Sequence, residues 1–266
     1  MDTFVAQPLS ATSNPKDLRG RLAFLLMLDG AMRPSDIARL DVRTLRFLVG
    51  EAQMSWAQLQ AADIEVALST DVSAFQFRIF RPKEFHLRPA SFSSDWSPLI
   101  TVMRPRASHV QLSADGALQV DTAVLLDWYL RRLQASAVQT PALSHSLPPE
   151  QQEATTMESV GLLVSLRKKQ GVYRMLGEER VSNVVQETAW ELGNVRIDHY
   201  SLLRGRSGSV LDAIGQDATP ALERARHSRS TFLRHYRAAV PARQLAAISA
   251  SPFSLEQLRV EELLRL

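Results

Sequence analysis

The stretch RHSRSTFLRHY, residues 226–236, indicates both the fold and the chemistry of this chain. It places an imidazole, His227, before a serine-rich helix start, and a phenol, Tyr236, nine residues later. Residues three and four apart lie on one face of a helix, so Tyr236 shares a face with Phe232 and Leu233. We therefore predict a helix that holds the Tyr236 ring by packing and directs its hydroxyl out of the core.

Two arginines outside this stretch suit the same chemistry. Arg204 lies in SLLRG, and Arg33 lies in DGAMRPSDIARL, residues 29–40. A guanidinium binds two phosphate oxygens at once and stays charged, so it stabilises the charge that develops when a phenol attacks a phosphodiester. Pro34 biases Arg33 away from the helical conformation and predicts that it stands at a helix start. Taken alone, Arg33 is better explained as an ordinary surface arginine paired with Asp36.

Together these stretches resemble the tyrosine recombinase (phage integrase) family, over roughly residues 15–240. The family's first arginine sits in Gly-x-x-Arg-x-Ser-Glu/Asp-x-x-x-Leu, which the context of Arg33 matches. Its second arginine is followed eleven residues later by a glycine, as Arg204 is by Gly215. Its nucleophilic tyrosine follows a histidine or tryptophan by nine residues, as in this chain. The local texture is most similar to the Crypton-type eukaryotic branch, which belongs to transposable elements.

One position departs from the family pattern. The histidine that usually stands three residues before the second arginine is Ser201 here. A serine donates a hydrogen bond but does not carry a proton near neutral pH as imidazole does. His199, His227 or water would then accept the proton of Tyr236, and activity depends on whether one of them does so.

The β pattern places a lysine where the family has one. Apolar residues alternate over 64–68 and 75–79, and residues 97–102 can return as a partner strand, which predicts a hairpin containing Lys83. The resemblance implies that Lys83 protonates the departing 5′ oxygen. Without the resemblance, a single lysine in a hairpin is explained as a charge that keeps the protein soluble.

The resemblance implies an α+β fold that is mainly α-helical, with a small antiparallel sheet that carries the lysine hairpin. Helices are predicted to start at Asn14-Pro15 and Asp121-Thr122 and to cover residues 178–192. The domain limits expected from the sequence are a linker or disordered tail at 1–13, a catalytic domain at 14–245 with a loop or insertion at 135–158, and an amphipathic helix at 246–266. That last helix either docks on a neighbouring protomer or folds back on its own core.

Charge clustering points to a nucleic acid. The formal net charge is only +3, but the 31 basic residues are arginines apart from Lys16, Lys83, Lys168 and Lys169. Positive charge is concentrated around the predicted site, so we expect DNA contacts from a set of flanking cations, namely Arg206, Arg226, Arg229, Lys168 and Lys169. The two adjacent lysines lie in a predicted basic turn that either contacts phosphates or is simply solvated.

Composition excludes several other classes of protein. With no cysteine in 266 residues, disulfides and thiolate metal sites are impossible, which suits a reducing compartment. The longest strongly apolar run, residues 22–28, is too short to cross a bilayer. We expect an intracellular protein without membrane contact, nuclear in a eukaryote or cytoplasmic in a bacterium. No cluster of ligand residues predicts a metal, and covalent storage of the phosphodiester bond requires no cofactor.

The resemblance implies a site-specific recombinase or integrase that cleaves and rejoins DNA through a 3′-phosphotyrosyl intermediate. The residues implied as catalytic are Tyr236, Arg33, Arg204, His227, Lys83 and Ser201. Double-stranded DNA is the implied partner, bound by a dimer or tetramer of the chain. Two alternatives remain open at this point: a non-catalytic DNA-binding protein derived from a recombinase, and a tyrosine-type topoisomerase with the same chemistry.

Overall fold

The computed structural model describes residues 9–79, 99–104, 121–135, 161–169, 172–193, 219, 222 and 229–235. Its helices in these ranges are α1 (Pro15–Asp29), α2 (Pro34–Ala38), α3 (Trp56–Ala61), α4 (Thr122–Ala135), α5 (Glu178–Gly193) and α6 (Arg229–His235). Its strands are β1 (Leu40–Val49), β2 (Ala52–Met54), β3 (Val72–Ile79), β4 (Leu99–Met103), β5 (Val164–Lys169) and β6 (Val172–Met175). The prediction of a mixed fold of helices and antiparallel sheet is confirmed.

Helix α1 lies at the centre of the core. The Asn14 side chain accepts a hydrogen bond from the Lys16 amide at 2.9 Å, which caps the helix start as the sequence predicts. Residues 22–27 are all buried, so this part of α1 is covered on every side and not along one stripe only. It packs against α2, α4 and α5 and touches β4, so helices and sheet share one continuous core.

The contact between α1 and α5 requires a glycine. A Cβ atom on Gly20 would lie 2.5 Å from the hydroxyl oxygen of Thr188, whose own hydroxyl donates to the Val184 carbonyl. Helix α5 buries Val181, Val184 and its alanine against this surface, as its periodicity predicts. The two helix axes therefore approach closely because one of them carries no side chain at the crossing.

The larger sheet has strand order β2-β1-β3-β4, and all of its strand pairs are antiparallel. Phe47 of β1 lies opposite Phe75 of β3, with ring centroids 6.2 Å apart, and Phe77 continues this buried aromatic cluster. Strands β3 and β4 pair from Ala74↔Met103 to Arg78↔Leu99. The predicted partnership of the strands around 75–79 and 97–102 is thus confirmed.

The predicted strand over residues 64–68 is wrong. Asp63 has a φ of 53°, its amide donates to the Gln60 carbonyl, and the Ile64 amide donates to the Leu59 carbonyl. These bonds form a Schellman motif that ends α3, and a turn follows it through the Glu65 carbonyl. The apolar alternation there reflects a helix cap and a turn, not a strand.

Helix α4 is held by two carboxylates, one at its start and one near its middle. Asp121 accepts bonds from the Ala123 and Val124 amides at 2.8 and 2.9 Å, as its predicted role in capping requires. Its other oxygen pairs with the buried Arg104 at 2.7 Å. Further along, the fully buried Asp127 accepts from the Trp56 indole N–H at 2.9 Å and ties α3 to α4. The Trp128 and Tyr129 rings are buried and belong to the core.

A buried polar cluster fixes β5 to the helices. The Val164 amide donates to the Tyr129 hydroxyl at 3.1 Å, and the Val164 carbonyl accepts from the Arg19 guanidinium at 2.9 Å. Burial raises the pKa of Tyr129 to about 12, an effect that the Val164 bond and the Arg19 charge oppose. Burial also lowers the pKa of Arg19. One residue of β5, Val164, is therefore bonded to α1 through its carbonyl and to α4 through its amide.

We expect this cluster to weaken at alkaline pH. A tyrosine in the unfolded chain titrates near pH ~10, and a raised folded pKa means that its contribution is complete below that pH and lost as the pH rises through about 12. We expect the free energy of unfolding in urea to fall by up to about 3 kcal/mol more for the wild type than for Tyr129→Phe as the pH is raised across that range. If the free energy of unfolding changes with pH in the same way for the two proteins, the Tyr129 hydroxyl is not buried as described.

Several predictions fall wholly or partly outside the described residues: the tail at 1–13 beyond its last five positions, the loop at 135–158, and the helix at 246–266. In the part of the chain that is described, no helix combines the length and apolar character needed to cross a membrane.

Candidate functional site

Arg33 stands at the start of α2, as Pro34 predicts. Its φ of −81° and ψ of 156° are extended, and the helix begins at the next residue. Its carbonyl accepts from the Asp36 and Ile37 amides at 2.9 and 3.0 Å, while its own amide donates to the Asp36 carboxylate at 3.0 Å. The backbone of Arg33 is therefore fixed in three directions, and its side chain is partly exposed.

Steric crowding explains why the Arg33 motif has a glycine at position 30. A Cβ atom on Gly30 would lie 2.7 Å from the Leu26 carbonyl oxygen and 2.9 Å from the Met32 side chain. Ala31 then adopts a φ of 48°, which reverses the chain after α1, and Met32 turns fully inward. The tight α1–α2 connection brings Arg33 to the surface one residue after a buried methionine.

Asp36 is the acidic member of the same motif. It is only 1% exposed, and its carboxylate sits in the first turn of α2, where the helix dipole favours negative charge. It holds the Arg33 amide, so substituting it would release the backbone that presents the guanidinium. The Asp36 carboxylate therefore helps to position the backbone of Arg33.

Topology brings the Arg33 connection and the lysine segment to one end of the sheet. Leu40, the first residue of β1, follows α2 closely and pairs with Ile79, the last residue of β3. The chain leaves β3 at this same end and re-enters the sheet at Leu99. Residues 80–98, which contain Lys83, thus connect to the sheet beside the C-terminal end of α2; Lys83 itself lies outside the described residues.

Helix α6 carries the residues that precede Tyr236. Phe232 is buried, as expected for the face that it shares with Tyr236, but Leu233 is 46% exposed and does not join the core. Arg229 is exposed, as is Arg234 on the same helix. Among the side chains of α6 that are described, two are exposed cations and Phe232 is the buried one.

Most of the other predicted site residues lie outside the described part of the chain, namely Tyr236, Arg204, His227, Lys83, Ser201, Arg206 and Arg226. Lys168 and Lys169 belong to β5, so the predicted basic turn is wrong in detail: these cations lie in a strand. Arg33 and Arg229 stand on separate helices. The convergence of the catalytic set on one cleft remains a prediction.

Sequence reasoning missed a second group of cations, on β1 and β3. Arg43 makes a two-pronged contact with Asp41 at 2.6 and 2.9 Å, and this bond raises the pKa of Arg43. Arg78 is exposed beside the same bulge, and Thr44 accepts from its amide at 2.8 Å. The sequence feature that could have indicated Arg78 is the alternation of Gln76 and Arg78 with buried residues. These cations lie at or near the sheet end that leads toward Lys83.

Among the described residues, no group of three or more histidine or carboxylate side chains is arranged to hold a metal ion. Comparison with known protein families, characterised proteins and solved structures finds none that matches this chain.

Proposed function

We propose that this protein is a tyrosine recombinase that breaks and rejoins DNA strands through a phosphotyrosyl intermediate. The observation that carries the proposal is the order and spacing of the sequence stretches around Arg33, Arg204, His227 and Tyr236. The fold proposed with it is the catalytic domain of that family. A homo-oligomer assembled on double-stranded DNA would bring two cleaved strands together.

The proposed reaction is an in-line displacement at phosphorus. The Tyr236 oxygen bonds to the phosphorus while the bond to the 5′ oxygen breaks and its electron pair leaves with that oxygen. The phenol proton passes to His199, His227 or water, and Lys83 protonates the departing oxygen. The guanidinium groups of Arg33 and Arg204 bind the non-bridging oxygens, and His227 donates a further hydrogen bond.

The described geometry of Arg33 supports this role. A donor contributes most to a charged transition state when it is fixed before the reaction, because no reorganisation is then needed. Arg33 has its backbone amide and carbonyl bonded to α2 and its side chain partly exposed. The glycine and the aspartate of its motif have separate structural tasks in producing this arrangement.

A covalent-capture experiment tests the proposal. Duplex DNA nicked beside the cleavage position loses the short 5′-hydroxyl strand after attack, so the adduct cannot be reversed. The wild type should give a protein–DNA adduct that survives denaturation, and mass spectrometry should locate the DNA on Tyr236. A bound but unmodified protein, or an adduct on another residue, would refute the proposed reaction.

We expect Arg33→Lys to reduce the rate of adduct formation by about 10²- to 10³-fold, since lysine keeps the charge but loses the two-pronged contact. Urea unfolding of the variant shows whether the protein remains folded, so that a loss of rate can be assigned to the site. Arg39→Lys, at the other end of α2, is the matched control and should retain near wild-type rates. Equal rates for the two variants would remove Arg33 from the site.

A non-catalytic DNA-binding protein is the second candidate, and Ser201 favours it because the family's proton-carrying histidine is missing at that position. In the same experiment this candidate predicts tight DNA binding by both wild type and Tyr236→Phe, with no adduct from either.

A further inference from the structure

The hairpin formed by β5 and β6, residues 164–175, is a cationic element that contains none of the proposed catalytic residues. Its strands pair only with each other among the described strands, in the register Lys168↔Tyr173 and Lys169↔Val172. Arg167 and Arg174 lie within it, and no acidic residue occurs between Ser165 and Gly177. We name residues 164–175 the basic hairpin.

The base of the basic hairpin is fixed to three other elements. The Val164 peptide is bonded to Tyr129 of α4 and Arg19 of α1, and the Leu176 amide donates to the Leu163 carbonyl at 2.9 Å. Just before the hairpin, Gly161 forms a bridge to Asp41 at the start of β1. Leu162, Leu163, Val164 and Leu176 are buried. The hairpin is therefore anchored at the end opposite its lysines.

The register separates that anchor from the charge. Val164 pairs with Met175 at the base, whereas Lys169 pairs with Val172 next to the connection between the strands. The register shifts between Val164 and Lys168, and β6 covers the same span in the three steps from Val172 to Met175, so at about 3.3 Å per residue the Lys169 backbone lies on the order of 10 Å from the anchored Val164. The cationic positions thus lie at the end of the basic hairpin that is farther from its fixed base.

We propose that the basic hairpin binds the phosphate backbone of double-stranded DNA, without reading its sequence, through its four cationic positions. The proposal rests on the proposed function for the identity of the ligand. Two of the chain's four lysines are adjacent here, and an ammonium group binds phosphate as a compact point charge. A protein partner is less well matched, since the centre of a protein interface is depleted of charge, whereas this segment carries four cations in eight residues.

Salt dependence of DNA binding tests the inference directly. Affinity is measured by fluorescence anisotropy with a labelled duplex of arbitrary sequence. Lys168→Gln and Lys169→Gln should each lower the affinity roughly five- to tenfold at ~0.1 M salt. Each should also reduce the slope of log Kd against log salt by about 0.9. Lys16→Gln, an exposed lysine in the first turn of α1, removes the same charge elsewhere and should leave the slope nearly unchanged. Thermal melting checks that all three variants are folded.

Failure of this inference differs from failure of the proposed function. Adduct formation with unchanged salt slopes in the hairpin variants would overturn the basic hairpin alone. Salt-sensitive binding that depends on Lys168 and Lys169, without any adduct on Tyr236, would refute the recombinase and leave the hairpin as a DNA contact. Tighter binding of single-stranded DNA or RNA than of duplex by the wild type would overturn double-stranded DNA as the ligand.

Discussion

Replacing Tyr236 with phenylalanine is expected to abolish the covalent DNA adduct while leaving DNA binding intact. Phenylalanine keeps the ring and removes only the oxygen that would bond to phosphorus, and a substitution that conserves volume in this way should disturb packing little. Without a nucleophile, the arginines can still bind the phosphate, and affinity for the nicked duplex should stay within about twofold, since no phosphate contact is removed. Denaturing electrophoresis of the capture reaction reads out the adduct, and anisotropy reads out binding.

Phe232→Leu is the useful companion variant, because it disturbs the packing of α6 and keeps the tyrosine hydroxyl. It should lower stability by about 1–2 kcal/mol and reduce the capture rate without eliminating the adduct. An adduct formed by Tyr236→Phe at the wild-type rate would show that another residue is the nucleophile. Loss of DNA binding in Tyr236→Phe would show that the phenol serves in binding, and would favour the non-catalytic alternative.

Local signals in the sequence were sufficient for the helix starts. Asn14 caps α1, Pro34 sets the extended conformation of Arg33, and Asp121 caps α4, because each effect operates within three or four residues. The alternation of Phe75, Phe77 and their neighbours likewise predicts β3. Local signals of this kind therefore predict the backbone conformation of a site residue before any tertiary contact is known.

Strand β1 was not predicted, because its pattern is broken by its own geometry. Between Asp41 and Arg46 the register with β3 shifts, and the extra residues there interrupt the period of two on which strand prediction depends. The bulge is held by Thr44, which donates to the Asp41 carbonyl and accepts from the Arg78 amide. The second of these bonds joins residues far apart in sequence, so no local window contains the explanation.

The same limit applies to the candidate site. Arg19 and Val164 are 145 residues apart, yet their contact helps to fix β5, the strand that contains Lys168 and Lys169. Spacing within a motif predicts which residue type stands at a helix start or a strand end. Whether Arg33, Lys83 and Tyr236 meet depends on how those elements pack, which periodicity does not encode.

Asp121→Ala is expected to destabilise the protein by about 3–5 kcal/mol, because it leaves the Arg104 cation buried without its carboxylate and removes the cap of α4 together. The Arg104 side chain is 6% exposed, and it also donates to the Ser69 and Val72 carbonyls, so it cannot easily turn out to solvent. Urea unfolding at neutral pH measures the loss. Asp121→Asn keeps an oxygen that can cap the helix and should fall between the alanine variant and the wild type.

The exposed pair Arg180–Glu187 is the matched control for Asp121. Its partners are 51% and 43% exposed at 3.4 Å, so Glu187→Ala should change stability by at most about 1 kcal/mol. The double variant Arg104→Met/Asp121→Asn removes the buried charges together and should recover part of the loss seen for Asp121→Ala, since no unpaired cation remains. If Asp121→Ala is no more destabilising than Glu187→Ala, Arg104 finds water or another acceptor, and β4 is not held to α4 by this ion pair.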